Sequence, residues 1–186
     1  MSFLINPFAF AVAGGDFESI ATVTVGSGGA ANIDFTSISA SYQHLQLRGI
    51  SKSTSTGADS QWFYMQLNSD TASNYNSHQL YGTGASAVAT NNASDAIRLG
   101  GSVRSSAASQ MFTTHVIDIL DYANTSKNTT VRSFSGWDTN NTTTGVVWHS
   151  SGLWRSTSAV TSIRLGIVVE NFTQHSTFAL YGIKAP

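Results

Sequence analysis

The chain has 186 residues, a formal net charge of −1 and no cysteine. Asp, Glu, Lys and Arg together make up 10% of it, whereas soluble domains average about 25%. This composition excludes disulfides and thiolate metal sites, and the few scattered basic residues argue against a nucleic-acid partner.

The first 15 residues are apolar and contain no Lys or Arg, with which a secretory signal peptide would begin. No apolar run approaches the ~18 residues of a membrane helix, so no membrane partner is expected. We predict that residues 1–16 form an apolar arm that partners cover, because exposed apolar patches usually mark interfaces. A first strand of the main domain and a signal peptide are the alternatives. The predicted assembly contacts of the arm are Phe3, Leu4, Ile5, Phe8 and Phe10.

Further along the chain, the dominant hydrophobic period is two, which indicates β-strands. One run, residues 61–67, is apolar on both faces like a buried strand. β-Branched and aromatic residues are concentrated in these runs, as strands prefer. The predicted strands, in chain order, lie within residues 21–25, 45–49, 61–67, 111–122, 131–134, 146–148, 160–169 and 178–183.

Turn-forming Gly, Ser, Asn and Asp residues separate these runs. Residues 69–95 indicate one long, nearly uncharged loop, with an edge strand at residues 79–81 as the alternative. Residues 91–99 would allow a single helical turn. Short strands between such spacers predict an all-β protein. We therefore predict a single antiparallel β-sandwich domain over residues 17–186, of jelly-roll type.

Catalytic and metal-binding patterns are weak in this sequence. A glycosidase needs two opposed carboxyl groups, and no local motif pairs Asp118, Asp121 or Asp138. The five histidines do not show the spacing of a zinc motif. We predict no catalytic residue, no metal and no cofactor, and hence a protein that is not an enzyme.

Aromatic side chains are the remaining candidates for a binding role, since their rings can stack on sugars as well as fill a core. Trp62 and Trp148 lie in strand-like runs and are predicted to be core residues. Aromatic residues near turns or in the long loop are better placed for contact, because loops on a rigid β scaffold often carry binding. The candidate glycan contacts are Tyr75, Tyr81, Trp137 and Trp154.

Several short sequence motifs occur together in a characteristic order along the chain. They are DFTSI at residues 34–38, SYQHLQLRG at 41–49, LNSD at 67–70, NY at 74–75, IDILDY at 117–122 with Lys127, SGLW at 151–154 and FALYGIK at 178–184. This set resembles small virion structural proteins of tailed bacteriophages, commonly phages of cyanobacteria and other aquatic bacteria. The likeness covers roughly residues 17 to 184 and leaves out the apolar arm.

The resemblance implies a β-sandwich that decorates the phage particle, and it brings no enzymatic residues. The expected function is that of a capsid decoration, or cement, protein that stabilises the head through contacts between subunits. The alternative is a tail fibre or adaptor component that binds host surface glycan. Expected partners are further copies of the chain, as a homotrimer, and the major capsid protein or tail proteins. Such a protein is made in the host cytoplasm and ends up on the virion surface.

Overall fold

The computed structural model describes residues 16–57, 59–107, 110–138 and 145–184. These ranges contain twelve strands and no helix, so none of the described residues could cross a bilayer as a helix. The strands are β1 (Phe17–Thr24), β2 (Asn32–Phe35), β3 (His44–Ser51), β4 (Ser60–Leu67), β5 (Tyr75–Gly82), β6 (Ala87–Ser94), β7 (Ile97–Val103), β8 (Thr113–Leu120), β9 (Thr129–Asp138), β10 (Gly145–Trp154), β11 (Ile163–Ile167) and β12 (Thr177–Ile183).

The strands form two antiparallel sheets. The large sheet has the order β1-β12-β3-β8-β9-β10-β5-β6, and the small sheet has the order β2-β11-β4-β7. Strand pairs are nested along the chain, since β1 pairs with β12, β2 with β11, β3 with β8 and β4 with β7. Nested pairing of eight strands across two sheets is the jelly-roll arrangement, so the predicted antiparallel β-sandwich is confirmed.

Two inserted hairpins widen the large sheet. The β5–β6 hairpin lies between β4 and β7 in the chain, and the β9–β10 hairpin lies between β8 and β11. Both hairpins join the sheet beyond β8. The long loop predicted at residues 69–95 is therefore wrong, because these residues contain β5 and β6. The helical turn predicted at residues 91–99 is also wrong, because this segment belongs to β6 and β7.

The main core lies between the two sheets and is built by strand alternation. In β9, every second side chain from Thr129 to Trp137 is buried, which places the intervening residues on the outer surface. The rings of Phe63 and Phe178 stack across the sandwich with centroids 5.4 Å apart. Burial of each such side chain stabilises the fold by about 1.5–3 kcal/mol. A smaller buried cluster contains Val103, Trp137 and Trp148.

Candidate functional site

An aromatic cavity of about 290 Å³ lies where β4 and β7 of the small sheet meet the inserted hairpins. Four of its lining side chains are aromatic rings, and they come from β4, β5, β9 and β10. We refer to it below as the aromatic cavity. Its described lining residues are Asp59, Ser60, Trp62, Tyr81, Gly101, Trp137, Val146 and Trp148.

The ring of Trp148 is the centre of this aromatic group. Its neighbour on β5 is Tyr81, which is its direct cross-strand partner, and the two ring centroids are 5.6 Å apart. On the other side, the ring of Trp137 from β9 lies 4.9 Å away at an angle of 37°. Trp148 and Trp137 are buried, whereas Trp62 is 40% exposed. The cavity therefore has a buried floor of two tryptophans, whereas Tyr81 is partly exposed and Trp62 is the most exposed of the four aromatic rings.

Close packing of Trp148 against β7 requires glycine. A Cβ atom at Gly101 would lie 2.8 Å from the outer ring carbon Cη2 of Trp148 and 3.0 Å from Ser60 Oγ. The preceding Gly100 has a φ of +129°, which side chains rarely adopt. The indole nitrogen of Trp148 is buried and finds no hydrogen-bond acceptor among the residues that the structure describes. A buried donor without a partner is uncommon in folded proteins.

The charged group at this cavity is already paired. Asp59 Oδ1 lies 3.1 Å from a guanidinium nitrogen of Arg104. Both side chains are well exposed to solvent, so this ion pair contributes little to stability. Ser60 and Tyr81 add hydroxyl groups to the lining residues. The described lining is thus aromatic with a few neutral or paired polar groups.

A second feature is the outer face of the large sheet, which carries an exposed apolar row. The register places Val116 opposite Phe134, Phe134 opposite His149, and His149 opposite Leu80. Phe134, in the middle of the row, is 57% exposed, and Val147 on β10 is exposed beside it. These five residues from β8, β9, β10 and β5, four apolar side chains and the histidine among them, are called the apolar row below. Exposed apolar patches that extend over several hundred Å² mark interaction sites in many proteins.

Both signs of charge lie beside the apolar row. Gln46 Nε2 donates a hydrogen bond of 2.7 Å to Asp118 Oδ1, and Arg48 Nε donates one of 2.7 Å to Gln46 Oε1. A guanidinium nitrogen of Arg132 lies 3.7 Å from the other oxygen of Asp118. Asp118 therefore belongs to a polar network on an exposed sheet face, which is a poor setting for a carboxyl group that must donate a proton.

A buried serine–histidine pair lies inside the sandwich. His115 Nε2 and Ser51 Oγ are 2.8 Å apart, and Ser51 Oγ donates a hydrogen bond of 2.8 Å to Ser102 Oγ. Burial lowers the pKa of His115 to about 3. Its Nδ1 atom has no partner among the described residues, whereas a catalytic histidine is oriented by a further group on that atom. Because all three side chains are buried, the pair acts as part of the core.

The structure separates the four aromatic residues proposed for glycan contact. Tyr81 and Trp137 line the aromatic cavity, whereas Tyr75 and Trp154 are buried in the main core. The Tyr75 hydroxyl donates to the backbone oxygens of Leu67 and Asp70, and the Trp154 indole nitrogen donates to Asp70 Oδ2 at 2.8 Å. Tyr75 and Trp154 thus tie a loop to the core and do not reach a surface ligand.

The other residues singled out in the sequence can also be compared with the structure. Trp148 is a core residue as predicted, but the same prediction is wrong for Trp62, which is partly exposed at the cavity. Gly101 and Trp62 were missed as lining residues. The available signal was a glycine pair in a strand, which often marks a close approach of another group. The arm residues Phe3, Leu4, Ile5, Phe8 and Phe10 lie outside the described residues.

Neither a metal site nor a similar known protein adds to the description of this site. Within the described ranges, no three His, Asp or Glu side chains come together in a way that could hold a metal ion. Comparison with protein-family models, with curated proteins and with solved structures finds no match for this chain.

Proposed function

We propose that this chain is a non-enzymatic structural protein of a tailed-phage particle, which decorates the head as a small homo-oligomer. The observation that carries the proposal is the apolar row across the outer face of the large sheet. The resemblance of residues 17 to 184 to phage virion proteins supports the same function. Jelly rolls of this type are common in viral shells, although a fold alone does not define a function.

A second copy of the chain is the occupant that best fits the outer face. Eight strands spaced about 4.8 Å apart, each about eight residues long, give a face of about 900 Å². A stable interface needs about 800 Å² on each partner. The apolar row supplies the centre of such an interface, and Asp118, Arg48 and Arg132 let a second copy meet it with opposite charges. We propose a cyclic homotrimer, in which each subunit places this face against one neighbour and a different surface against the other, because one self-complementary face alone would close as a dimer.

The same surface argues for assembly over catalysis. The described part of the chain contains a Ser–His pair, but it is closed inside the core. Asp118 is held by Gln46 and Arg132 on an open sheet face. Burial of the apolar row under a partner would contribute about 25 cal/mol per Å², before the cost of association.

The oligomeric state tests this proposal directly. In sedimentation velocity at increasing concentration, we expect the wild-type protein to reach three times the 19.7 kDa mass of one chain. Phe134→Ser should shift the equilibrium to monomer by at least tenfold, because it removes the central ring of the apolar row. Val169→Ser is the matched control, since Val169 is 88% exposed but lies next to the small sheet. A wild-type protein that stays monomeric at all concentrations would refute the assembly.

Head binding tests the arm separately. Deletion of residues 1–15 should abolish binding of the purified protein to phage heads that lack it, as measured by co-sedimentation. The deletion should leave the oligomer intact, because the apolar row lies within β5, β8, β9 and β10. Unchanged head binding by the truncated protein would refute the arm as the anchor, while leaving the oligomer result to stand on its own.

A further inference from the structure

We propose that the aromatic cavity binds a single pyranose ring of a carbohydrate. This goes beyond a role in particle assembly, since it gives the chain a ligand of its own. The cavity joins Tyr81 and Trp137, which the sequence indicated as glycan contacts, to Trp62 and Trp148, which it did not. No single strand carries the site, so its aromatic residues come together only in the folded protein.

The aromatic rings provide the surface that a sugar requires. A pyranose has one face of C–H groups, which carry partial positive charge and pack against the electron-rich face of an aromatic ring. Trp148 and Trp137 are fixed by burial and by their mutual contact at 4.9 Å. Trp62, which solvent reaches, adds a third tryptophan ring to the lining. Fixed walls lose little conformational entropy when a ligand binds.

The polar groups of the cavity match hydroxyl groups better than charged ones. The charged side chain among the described lining residues is the carboxylate of Asp59, which pairs with Arg104 at 3.1 Å. A phosphate or carboxylate ligand would therefore meet no cation in that lining. Ser60 and Tyr81 bring hydroxyl groups, and Asp59 accepts hydrogen bonds. The indole nitrogen of Trp148 has no partner within the described part of the fold, but it is closed to solvent and is not counted among the groups that meet the sugar.

The size of the cavity limits the ligand to about one ring. Its volume of about 290 Å³ is near the lower end of the range for ligand pockets, about 300–1,000 Å³. It is far larger than the ~30 Å³ that one water molecule occupies in the liquid. An end residue or a side branch of a polysaccharide fits this space, whereas a longer internal segment would have to run over the surface.

Intrinsic tryptophan fluorescence of the full chain provides the test, because three tryptophans line the cavity. The probes are methyl glycosides of glucose, galactose, mannose, rhamnose and N-acetylglucosamine, each titrated to 100 mM, followed by an array of bacterial surface polysaccharides. We expect at least one glycoside to produce a saturable change. Trp62→Ala should weaken that binding at least tenfold, and Trp62→Phe should have an intermediate effect.

Phe17→Ala is the matched control, because Phe17 is 42% exposed, close to the exposure of Trp62, but lies on the far edge strand β1. It should bind the sugar with wild-type affinity. The proposal would be overturned if no glycoside and no array polysaccharide bound, or if Trp62→Ala bound as well as the wild type. Phe134→Ser should retain sugar binding even as a monomer, which separates this result from the proposed assembly.

Discussion

The buried imidazole of His115 should make the stability of the fold depend on pH. The ring packs against both Phe63 and Phe178, and burial lowers its pKa from 6.5 to about 3. In the unfolded chain the same ring takes up a proton near pH 6.5. Between these two values the unfolded state binds a proton that the folded state excludes, so stability falls as the pH is lowered.

The magnitude follows from the two pKa values of His115. The free energy of unfolding keeps its full value above about pH 6.5. As the pH is lowered below this value, it falls by up to about 1.4 kcal/mol per pH unit. The loss between pH 7 and pH 5 is about 2 kcal/mol, and it approaches about 5 kcal/mol near pH 3. The upper part of this window isolates the histidine, because Asp and Glu in unfolded chains titrate near pH 4. A total stability of about 5–15 kcal/mol makes either loss measurable.

Urea unfolding at pH 7, 6 and 5 is the assay, with the wild type compared with His115→Gln. We expect the wild type to lose about 2 kcal/mol over this range and the variant to lose much less, whatever its stability at pH 7. His78→Gln is the control, because His78 is exposed on β5, and this variant should keep the wild-type slope. If His115→Gln shows the same loss as the wild type, the neutral buried ring is not the cause.

Three further substitutions test local features of the fold. Val169 has a φ of +55°, which strains a β-branched residue. Val169→Gly should therefore raise the free energy of unfolding by about 1 kcal/mol in urea melts, and a decrease would refute the strain. A Cβ atom at Gly152 would lie 2.3 Å from Ile97 Cγ2. Gly152→Ala should therefore lower the free energy of unfolding by about 1–3 kcal/mol. An unchanged melting temperature would contradict this contact. Trp154→Phe removes the indole donor that lowers the pKa of Asp70, so an NMR titration should show a higher pKa for Asp70 in the variant. An unchanged pKa would exclude this hydrogen bond as the main cause of the lowered pKa.

The predictable part of this fold is the part in which polarity alternates. In β3 the buried Leu45 and Leu47 alternate with the polar Gln46 and Arg48, so the period is visible in the sequence. β6 has the sequence AVATNNAS and is exposed along nearly all of its length. Its small and polar side chains carry no contrast in hydropathy, so only hydrogen bonding to β5 defines it as a strand. β2 was missed because four residues are too few to show a period.

The aromatic cavity could be predicted only in part, for a different reason. The sequence places Tyr81 in a predicted loop and Trp137 near a predicted turn, but it does not show that both lie beside Trp148. That neighbourhood depends on β10 lying between β5 and β9, which results from the two hairpin insertions. The same lack of long-range information explains Trp154, whose indole is held inside by Asp70, a residue distant in the chain.

The alternation of side chains allows the two proposed surfaces to work at the same time. β9 directs Trp137 inward and Phe134 outward, and β10 likewise directs Trp148 inward and Val147 outward. The aromatic cavity and the apolar row therefore lie on opposite faces of the same two strands. An oligomer that covers the outer face would leave the cavity open, and each subunit would keep its own sugar site. A decorating protein with this arrangement would present several sites from one assembly, so that weak binding at each site is strengthened by multivalency.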